Sequence, residues 1–265
     1  MDDVTELVKY SKDLEIMVEE KTQMLREAER MADIGKITSM VGHDLRNPLQ
    51  FIRLIGEELE DKFTEDPETF EMISRVNKNI LYMDKIVSDL QLLAKPRTPD
   101  LVETSICKLF QEALENVQIP DTVEFVGLTQ DRIIFVDAVM FVRVLVNLVN
   151  NAVQAMPDGG RILVDHVRED GFDVISVSDS GVGISEEDIE NMFTPFFTTK
   201  AKGMGLGLSV CKQVVEYHGG EIRVESREGE GTVFYIKIPS KDNVDVQTVE
   251  AETIESATLA QAQVE

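Results

Sequence analysis

The sequence predicts an α+β protein: an N-terminal helical hairpin that forms a dimeric four-helix bundle, followed by an α/β sandwich domain with a mixed sheet. Three observations predict this fold class. Apolar side chains recur at three- and four-residue spacing up to about residue 95, as in helices packed side by side. Two prolines, Pro96 and Pro99, then end the helical pattern. From residue 100 onward, strand-like runs alternate with amphipathic helices, which is typical of a sheet covered by helices.

Composition limits the class of protein. The chain has 265 residues, a hydrophobic content of 43% and a formal net charge of −24. This charge argues against binding to nucleic acid or to anionic lipid, because both attract Lys and Arg. No apolar run approaches the ~18 residues of a membrane span, and the acidic N-terminus lacks a signal-peptide pattern. Cys107 and Cys211 are expected to be buried free thiols, which fits the cytosol.

Residues 1–32 are predicted to form a coiled-coil signal helix. Seam positions step by three and four residues from Leu7 to Met31, although Lys21 weakens the seam. The period is offset by three residues after Met31, and such an offset changes the supercoil locally. Two interpretations stay open: one long helix that passes a packing defect, or a point at which signals are transmitted.

Residues 33–95 are predicted to form two helices. The first continues to about Asp61, and the second begins at Pro67, since proline is favoured at the first helical position. Its apolar stripe runs from Ile73 to Ala94. One chain cannot bury the stripes of both helices, so two chains are predicted to pair as a four-helix bundle. Residues 96–99 form the linker.

Residues 100–240 are predicted to form the sandwich domain. Helices are expected at 105–117, 138–156 and 206–218, and strands at 122–127, 132–136, 161–167, 173–178, 221–225 and 232–238. The last helix stops at Gly219-Gly220. Residues 241–265 are polar and acidic without turn signals, and we expect an acidic disordered tail there.

The first chemical motif is His43-Asp44-Leu45-Arg46-Asn47-Pro48-Leu49. It places a carboxylate beside a histidine and an amide one helical turn later on the same face. Asp44 can take or stabilise the proton that leaves His43 when the imidazole attacks an electrophile. An isolated histidine is usually an ordinary surface or core residue, so this motif needs support from elsewhere in the chain.

A second set of motifs predicts a nucleotide site in four pieces, at 147–152, 179–184, 193–200 and 203–208. Its last piece is glycine-rich and opens a helix, where backbone N–H groups and the helix dipole favour phosphate. Asn151 is the candidate magnesium ligand, because a hard cation prefers oxygen ligands. Gly181 and Gly183 are expected to allow close approach of the backbone to the base.

In this order, the five motifs resemble the H, N, G1, F and G2 boxes of the two-component sensor histidine kinases, over roughly residues 30–240. The resemblance implies ATP and Mg²⁺ as cofactors, a homodimer, and a response-regulator receiver domain as partner. Residues 33–95 become the dimerisation and histidine phosphoacceptor domain, and residues 100–240 the ATP-binding catalytic domain. His43 is the implied phosphoacceptor, Asp44 its base, and Asn47 the residue that orients water for partner dephosphorylation.

The resemblance also implies roles for individual side chains of the nucleotide site. By this resemblance, the Asp179 carboxylate accepts a hydrogen bond from the adenine amino group. The implied cofactor-binding set is Asn147, Asn151, Asp179, Gly181, Gly183, Lys200, Gly203, Gly205 and Gly207, with Asn151 as the metal ligand. The segment that joins the pieces at 193–200 and 203–208 is the lid over the nucleotide. It is short, since only Ala201 and Lys202 separate Lys200 from Gly203. Phe193, Phe196 and Phe197 are expected to anchor the lid to the domain.

Several alternatives stay open. Arg46 is either a phosphate contact or a surface charge, and Asn47 either orients water or only tolerates the bend before Pro48. Gln50, Leu54 and Ile55 are candidate partner contacts, although both aliphatic residues would also suit a bundle core. The alternative function is an ATP-binding dimeric scaffold or clamp of the same nucleotide fold, the GHKL fold, without histidine kinase activity. The expected location is the cytoplasm, in a soluble protein or in the cytoplasmic part of a membrane receptor.

Overall fold

The structure is a computed structural model that describes residues 45–60, 62–63, 66–94, 98–200 and 203–241. The chain divides into two compact units, residues 1–96 and 97–265. The predicted coiled coil of residues 1–32 and the tail from residue 242 lie outside the described residues.

The first unit contains helix α1 (45–60) and helix α2 (Pro67–Ala94). Pro67 occupies the first helical position of α2, as predicted, and the Oδ2 atom of Asp66 accepts a hydrogen bond from Thr69 Oγ1 at 2.6 Å. The two helices share a small buried cluster of Leu49, Ile80 and Val87. This cluster is the apolar core that one chain supplies on its own.

Many large apolar side chains of this hairpin remain exposed in the single chain. Phe51 and Met72 are 65% and 64% exposed. The others are Leu45, Ile52, Leu54, Ile55, Phe63, Phe70, Val76, Leu81, Tyr82 and Met83. Such a surface is expected for one half of a larger helical bundle, because a second copy of the hairpin would bury most of these side chains.

The second unit contains two sheets and four helices within the described residues. Its elements in chain order are β1 (Val102–Ser105), α3 (Ile106–Glu115), β2 (Val123–Val126), β3 (Ile133–Val136), α4 (Ala138–Ala155), β4 (Gly160–Glu169), β5 (Phe172–Asp179), α5 (Glu186–Asn191), α6 (Gly207–Tyr217), β6 (Glu221–Arg227) and β7 (Gly231–Pro239).

The main sheet has the strand order β2-β4-β5-β7-β6, and its only parallel pair is β2 with β4. Strands β4 and β5 form a hairpin through Asp170 and Gly171, whose φ angles of +49° and +77° suit a tight hairpin turn. β1 and β3 form a separate antiparallel pair. The predicted mixed sheet is therefore confirmed.

The core lies between the main sheet and the helices. Every second residue of β5, from Asp173 to Asp179, is buried, so one face of the sheet points into the core. Phe141, Leu145 and Leu148 of α4 are fully buried against it. Among the described helices, α4 alone has the length and apolarity to cross a membrane, but it is packed here as a core helix beside α3 and α6.

Two short elements were not predicted. β1 has four residues, and α5 has six, with the side chain of Ser185 capping its N-terminus by accepting from Asp188 N. Neither is long enough to show a periodicity. The expectation of two buried thiols is wrong for Cys107, which lies at the first turn of α3 and is half-buried, whereas Cys211 is buried.

Candidate active site

The four predicted pieces of the nucleotide site converge at one end of the sandwich. Asn147 Nδ2, on α4, donates a hydrogen bond to the carbonyl of Gly207 at the start of α6, at 3.4 Å. Lys200 Nζ donates to Asn151 Oδ1 at 2.9 Å. The segment after β5 also returns to α4, since Val182 N donates to the carbonyl of Ala155 at 3.0 Å. Residues up to 60 positions apart in sequence thus line one site.

Asp179 lies at the end of β5 and is 7% exposed. Its Oδ1 atom accepts a hydrogen bond from Gly181 N at 2.9 Å, which fixes the carboxylate relative to the loop. Burial raises the pKa of Asp179, while backbone hydrogen bonds from Gly181 and Thr232 and the charge of Lys200 oppose that rise. Among the described residues Asp179 forms no salt bridge, and a buried carboxylate of this kind is a strong acceptor for an N–H group of a ligand.

The two glycines after Asp179 make room for protein backbone. A Cβ atom on Gly181 would lie 2.5 Å from the carbonyl oxygen of Ala155. Gly183 has φ +72°, and a Cβ there would overlap the carbonyl oxygen of Arg227. The loop therefore packs directly on α4 and on the end of β6. The two glycines were predicted to make room for the base, and in the structure they make room for this packing.

The two key asparagines of α4 have different environments. Asn147 is 4% exposed and joins α4 to the start of α6, so it is not an ordinary surface residue. Asn151 follows one turn later and is half-buried, with its Oδ1 atom facing the ammonium of Lys200. Asn147 thus holds the frame of the site, and Asn151 presents an oxygen to a cation.

The described residues of the lid, 193–200 and 203–206, are held to one another by backbone hydrogen bonds. Phe196 N donates to the carbonyl of Gly205 at 2.9 Å, and both residues have positive φ, +69° and +68°. A Cβ on Gly205 would overlap the backbone of Phe196 and Phe197, so this position requires glycine. Phe196 is 46% exposed and does not anchor the lid as expected, whereas Phe193 and Phe197 are half-buried.

Lys200 is bound to α4 by two amide oxygens. Its Nζ atom donates to Asn151 Oδ1 at 2.9 Å and to Gln154 Oε1 at 2.6 Å. Lys200 is an exposed residue overall, but its ammonium lies against the protein. Burial of the ammonium lowers the pKa of Lys200, and the charge of Asp179 opposes that change. Gln154 was not predicted as a site residue, although it follows Asn151 by three residues on one helix face.

The donor chemistry of the site fits a nucleotide with a hard cation. Within the described residues, no group of three or more His, Cys, Asp or Glu side chains could hold a metal on its own. Mg²⁺ commonly uses few protein ligands together with water and substrate phosphates, so one amide oxygen suits it. Asn151 Oδ1 already accepts a positive group in this structure, which shows that a cation fits beside it.

The phosphoacceptor motif is described only in part, because His43 and Asp44 lie outside the described residues. Asn47 is exposed on α1, and Gln50 and Leu54 follow it at helical spacing and are exposed as well. Arg46 donates to Gln91 Oε1 at 2.7 Å and to Ser88 Oγ at 3.2 Å. Arg46 is therefore neither free at the surface nor unpartnered, since it ties α1 to α2.

The other two histidines have structural environments. His218 is buried; its Nε2 atom accepts from Asp137 N at 3.0 Å, so Nδ1 carries the proton and donates to the carbonyl of Val214 at 2.7 Å. His166 lies 2.9 Å from Oδ1 of the fully buried Asp173, which also accepts from Arg168. This network was not predicted, and it lies at the opposite end of β5 from Asp179.

Comparison with known families matches two parts of the chain. Residues 136–242 match the family described as histidine kinase-, DNA gyrase B-, and HSP90-like ATPase. Residues 33–99 match the His Kinase A (phospho-acceptor) domain. Together the two matches cover more than half of the chain and include every motif described above.

Two curated relatives illustrate the similarity. The chain is 31% identical over 242 residues to sporulation kinase E of Bacillus subtilis (strain 168), covering 85% of this chain and 31% of the relative. It is 34% identical over 226 residues to the signal transduction histidine-protein kinase AtoS of Escherichia coli (strain K12), covering 83% of this chain and 37% of that protein. The chain thus spans about a third of the length of these relatives.

Two solved structures resemble this one. The histidine kinase ThkA in complex with the response regulator protein TrrA matches with 31% identity and a TM-score of 0.55, over 81% of this chain and 64% of that chain. Full-length ShkA matches with 21% identity and a TM-score of 0.63, over 77% of this chain and 46% of that chain, and this match supports the fold alone.

Proposed function

Because this chain belongs to the two-component sensor histidine kinases, we propose that it transfers the γ-phosphoryl group of ATP to His43 and then to an aspartate of a response-regulator receiver domain. The observation that carries the proposal is the convergence of Asp179, Asn151 and Lys200 at one end of the sandwich. A base acceptor and a cation-binding oxygen are two of the elements that phosphoryl transfer from ATP needs.

Each side chain of the nucleotide pocket is proposed to bind a different part of ATP. The carboxylate of Asp179 accepts a hydrogen bond from the adenine amino group, and the hydrogen bond from Gly181 N keeps that carboxylate oriented. Asn151 would hold Mg²⁺, which when bound neutralises charge on the phosphates. Gly203 and Gly205 lead into α6, whose N-terminal N–H groups suit phosphate oxygens. Lys200 adds a positive charge beside them.

The transfer itself takes place at His43. One nitrogen of the neutral imidazole forms a bond to the γ-phosphorus while the bond from that phosphorus to the leaving oxygen of ADP breaks. The proton on the other nitrogen is stabilised or accepted by Asp44. Phosphohistidine then donates the phosphoryl group to a carboxylate oxygen of the receiver domain, which restores the histidine.

Two partners follow from the helical unit. A second copy of the chain would cover the exposed apolar side chains of α1 and α2 other than Leu54 and Ile55, and would complete a four-helix bundle. The receiver domain is proposed to dock next to His43, on the face that carries Gln50, Leu54 and Ile55, which are exposed in the single chain. The structure of ThkA with TrrA supports a partner of this kind.

Asn47 is proposed to add a phosphatase activity. It is exposed on α1, four residues after His43, where an amide can hold a water molecule against the aspartyl phosphate of a docked partner. Asn47→Ala should slow the decay of pre-phosphorylated regulator much more than autophosphorylation. Equal decay with both proteins would refute this role.

We place this activity in the cytoplasm, and we assign no nucleic acid or lipid partner to a chain of net charge −24. The test of the kinase is incubation with γ-labelled ATP. Label on the wild type should be lost in acid and survive base, and His43→Gln should abolish it while leaving nucleotide binding by calorimetry intact. Nucleotide binding without any acid-labile label would support the scaffold function instead.

A further inference from the structure

The ammonium of Lys200 donates a hydrogen bond to Asn151 Oδ1, the same oxygen that is proposed to bind Mg²⁺. Its Nζ atom lies 2.9 Å from Asn151 Oδ1 and 2.6 Å from Gln154 Oε1. Both acceptors belong to α4 and are separated by less than one helical turn, so they form one binding position for a cation. The charge of Asp179 also acts on Lys200 and favours a positive group here.

The backbone of Lys200 is held on both sides, which fixes where its side chain can reach. Lys200 N donates to Thr198 Oγ1 at 3.1 Å. The carbonyl of Lys200 accepts from Gly203 N at 3.1 Å. A Cβ on Gly203 would lie 2.6 Å from Thr198 Oγ1, so a side chain at this position would displace the hydroxyl that holds Lys200 N. The contact with α4 is therefore supported by the local fold of the lid.

An ammonium and a divalent cation cannot both bind closely to one amide oxygen, because their charges repel each other at that distance. We propose that Lys200 and the divalent cation are alternative occupants of the Asn151 oxygen, and that Gln154 holds the ammonium there when the metal is absent. Lys200 is then a stand-in cation, which lets the pocket accept a nucleotide that carries no metal. This inference rests on the proposed function and names a further specificity-determining pair, Lys200 and Gln154.

A lysine that replaces the metal differs from one that only contacts phosphate, because its contribution to nucleotide affinity depends on whether Mg²⁺ is present. A lysine that only contacts phosphate strengthens binding of the nucleotide equally with and without Mg²⁺. A lysine that replaces the metal matters mainly when the metal is missing, since Mg²⁺ then does not supply the charge. The ratio of the two dissociation constants separates these cases, because uniform effects of a substitution cancel in the ratio.

The experiment measures the Kd of a non-hydrolysable ATP analogue by calorimetry, once with excess Mg²⁺ and once with EDTA, for the wild type and for Lys200→Met. We expect the variant to lose about tenfold or more in affinity in EDTA, the size of a charge-assisted hydrogen bond, and about twofold or less with Mg²⁺. Parallel losses in both buffers, or no loss in either, would overturn the inference. If the wild type binds the analogue in neither buffer, the proposed function fails and this inference with it.

A second measurement tests the role of Gln154 without nucleotide. The rate at which an amine-acylating reagent modifies Lys200 is followed by mass spectrometry in the wild type, in Gln154→Leu and in Gln111→Leu. Gln111 is an exposed glutamine on α3 and serves as the matched control. Loss of one of two acceptors should make Lys200 react several-fold faster in Gln154→Leu only. An unchanged rate in that variant would remove Gln154 from the assignment.

Discussion

The two ends of strand β5 carry two buried aspartates with opposite environments. Asp173 is fully buried and accepts from Arg168 Nε at 2.8 Å, with His166 at 2.9 Å. Asp179 is 7% exposed and accepts from the backbone of Gly181. One carboxylate is held by Arg168 and the ring of His166, and the other keeps acceptor capacity for a ligand.

The difference shows in the pKa of each group. Burial by itself would raise the pKa of Asp173, but the hydrogen bonds and charges of His166 and Arg168 outweigh it and leave that pKa below its ordinary value. At Asp179 burial dominates and the pKa is raised. The Asp173 end therefore stabilises the sandwich, whereas burial of the Asp179 carboxylate is unfavourable in the free protein and can be offset by a bound ligand.

The largest effect is expected from Asp173→Asn. The substitution leaves His166 and the buried part of Arg168 without their carboxylate, and breaking such a pair costs about 3 kcal/mol of the free energy of unfolding. Urea denaturation measures this loss, with Asp158→Asn in an exposed turn as the control. Nucleotide affinity below the melting temperature should be unchanged, and a loss of affinity without a loss of stability would reverse the assigned roles.

Asp179→Asn should give the opposite result. An amide can present its N–H group to the adenine amino group, so the affinity for an ATP analogue should fall about tenfold or more. The free energy of unfolding of the nucleotide-free protein should stay the same or rise, since a disfavoured buried charge is removed. Calorimetry and urea denaturation on one preparation measure both. Unchanged affinity would dismiss Asp179 as the adenine acceptor.

A smaller effect is expected from acid. Because the pKa of Asp173 is lowered on folding, its stabilising contribution is present above the ordinary value of 3.8 and is lost as the pH falls through the lower folded value. The raised pKa of Asp179 has the opposite sign, so protonation there relieves a penalty as the pH falls. The stability deficit of Asp173→Asn should therefore shrink below about pH 4, and any excess stability of Asp179→Asn should also disappear.

That experiment needs unfolding curves at neutral pH and at several acidic values for the wild type and both variants. If the loss of unfolding free energy in Asp173→Asn stays constant from neutral to acidic pH, the ion pair of Asp173 with Arg168 is not the source of the stability. Salt should change little, because Asp173 is fully buried and screening acts mainly on exposed charges.

The Asp179 end could be predicted from the sequence, and the Asp173 end could not. Asp179, Asn151 and the glycines occur in short local patterns with a fixed order, and the structure brings their positions together. The pairing of Asp173 with His166 and Arg168 depends on the register of the β4–β5 hairpin, which places Asp173 opposite Arg168. No local pattern specifies that register beyond the turn itself.

The same limit applies to Gln154 and to the lid. The contact between Lys200 and Gln154 joins residues 46 positions apart, and only the folded lid shows it. β1 was missed because it has four residues and gains its structure from pairing with β3. Phe196 was expected to anchor the lid, since an aromatic side chain usually favours burial, but its positive φ turns the chain there and leaves it 46% exposed.

The assignment of Asp179 to adenine is tested by comparing ATP with GTP as donors of acid-labile label to His43. A carboxylate at Asp179 accepts from the amino group of adenine but faces an oxygen in guanine, so the wild type should be labelled from ATP and hardly from GTP. In Asp179→Asn the ratio of labelling from ATP to labelling from GTP should fall by about tenfold or more, because an amide can donate a hydrogen bond to the guanine oxygen. Equal labelling of the wild type from both nucleotides, or an unchanged preference for ATP in the variant, would contradict the role of Asp179 as the adenine acceptor.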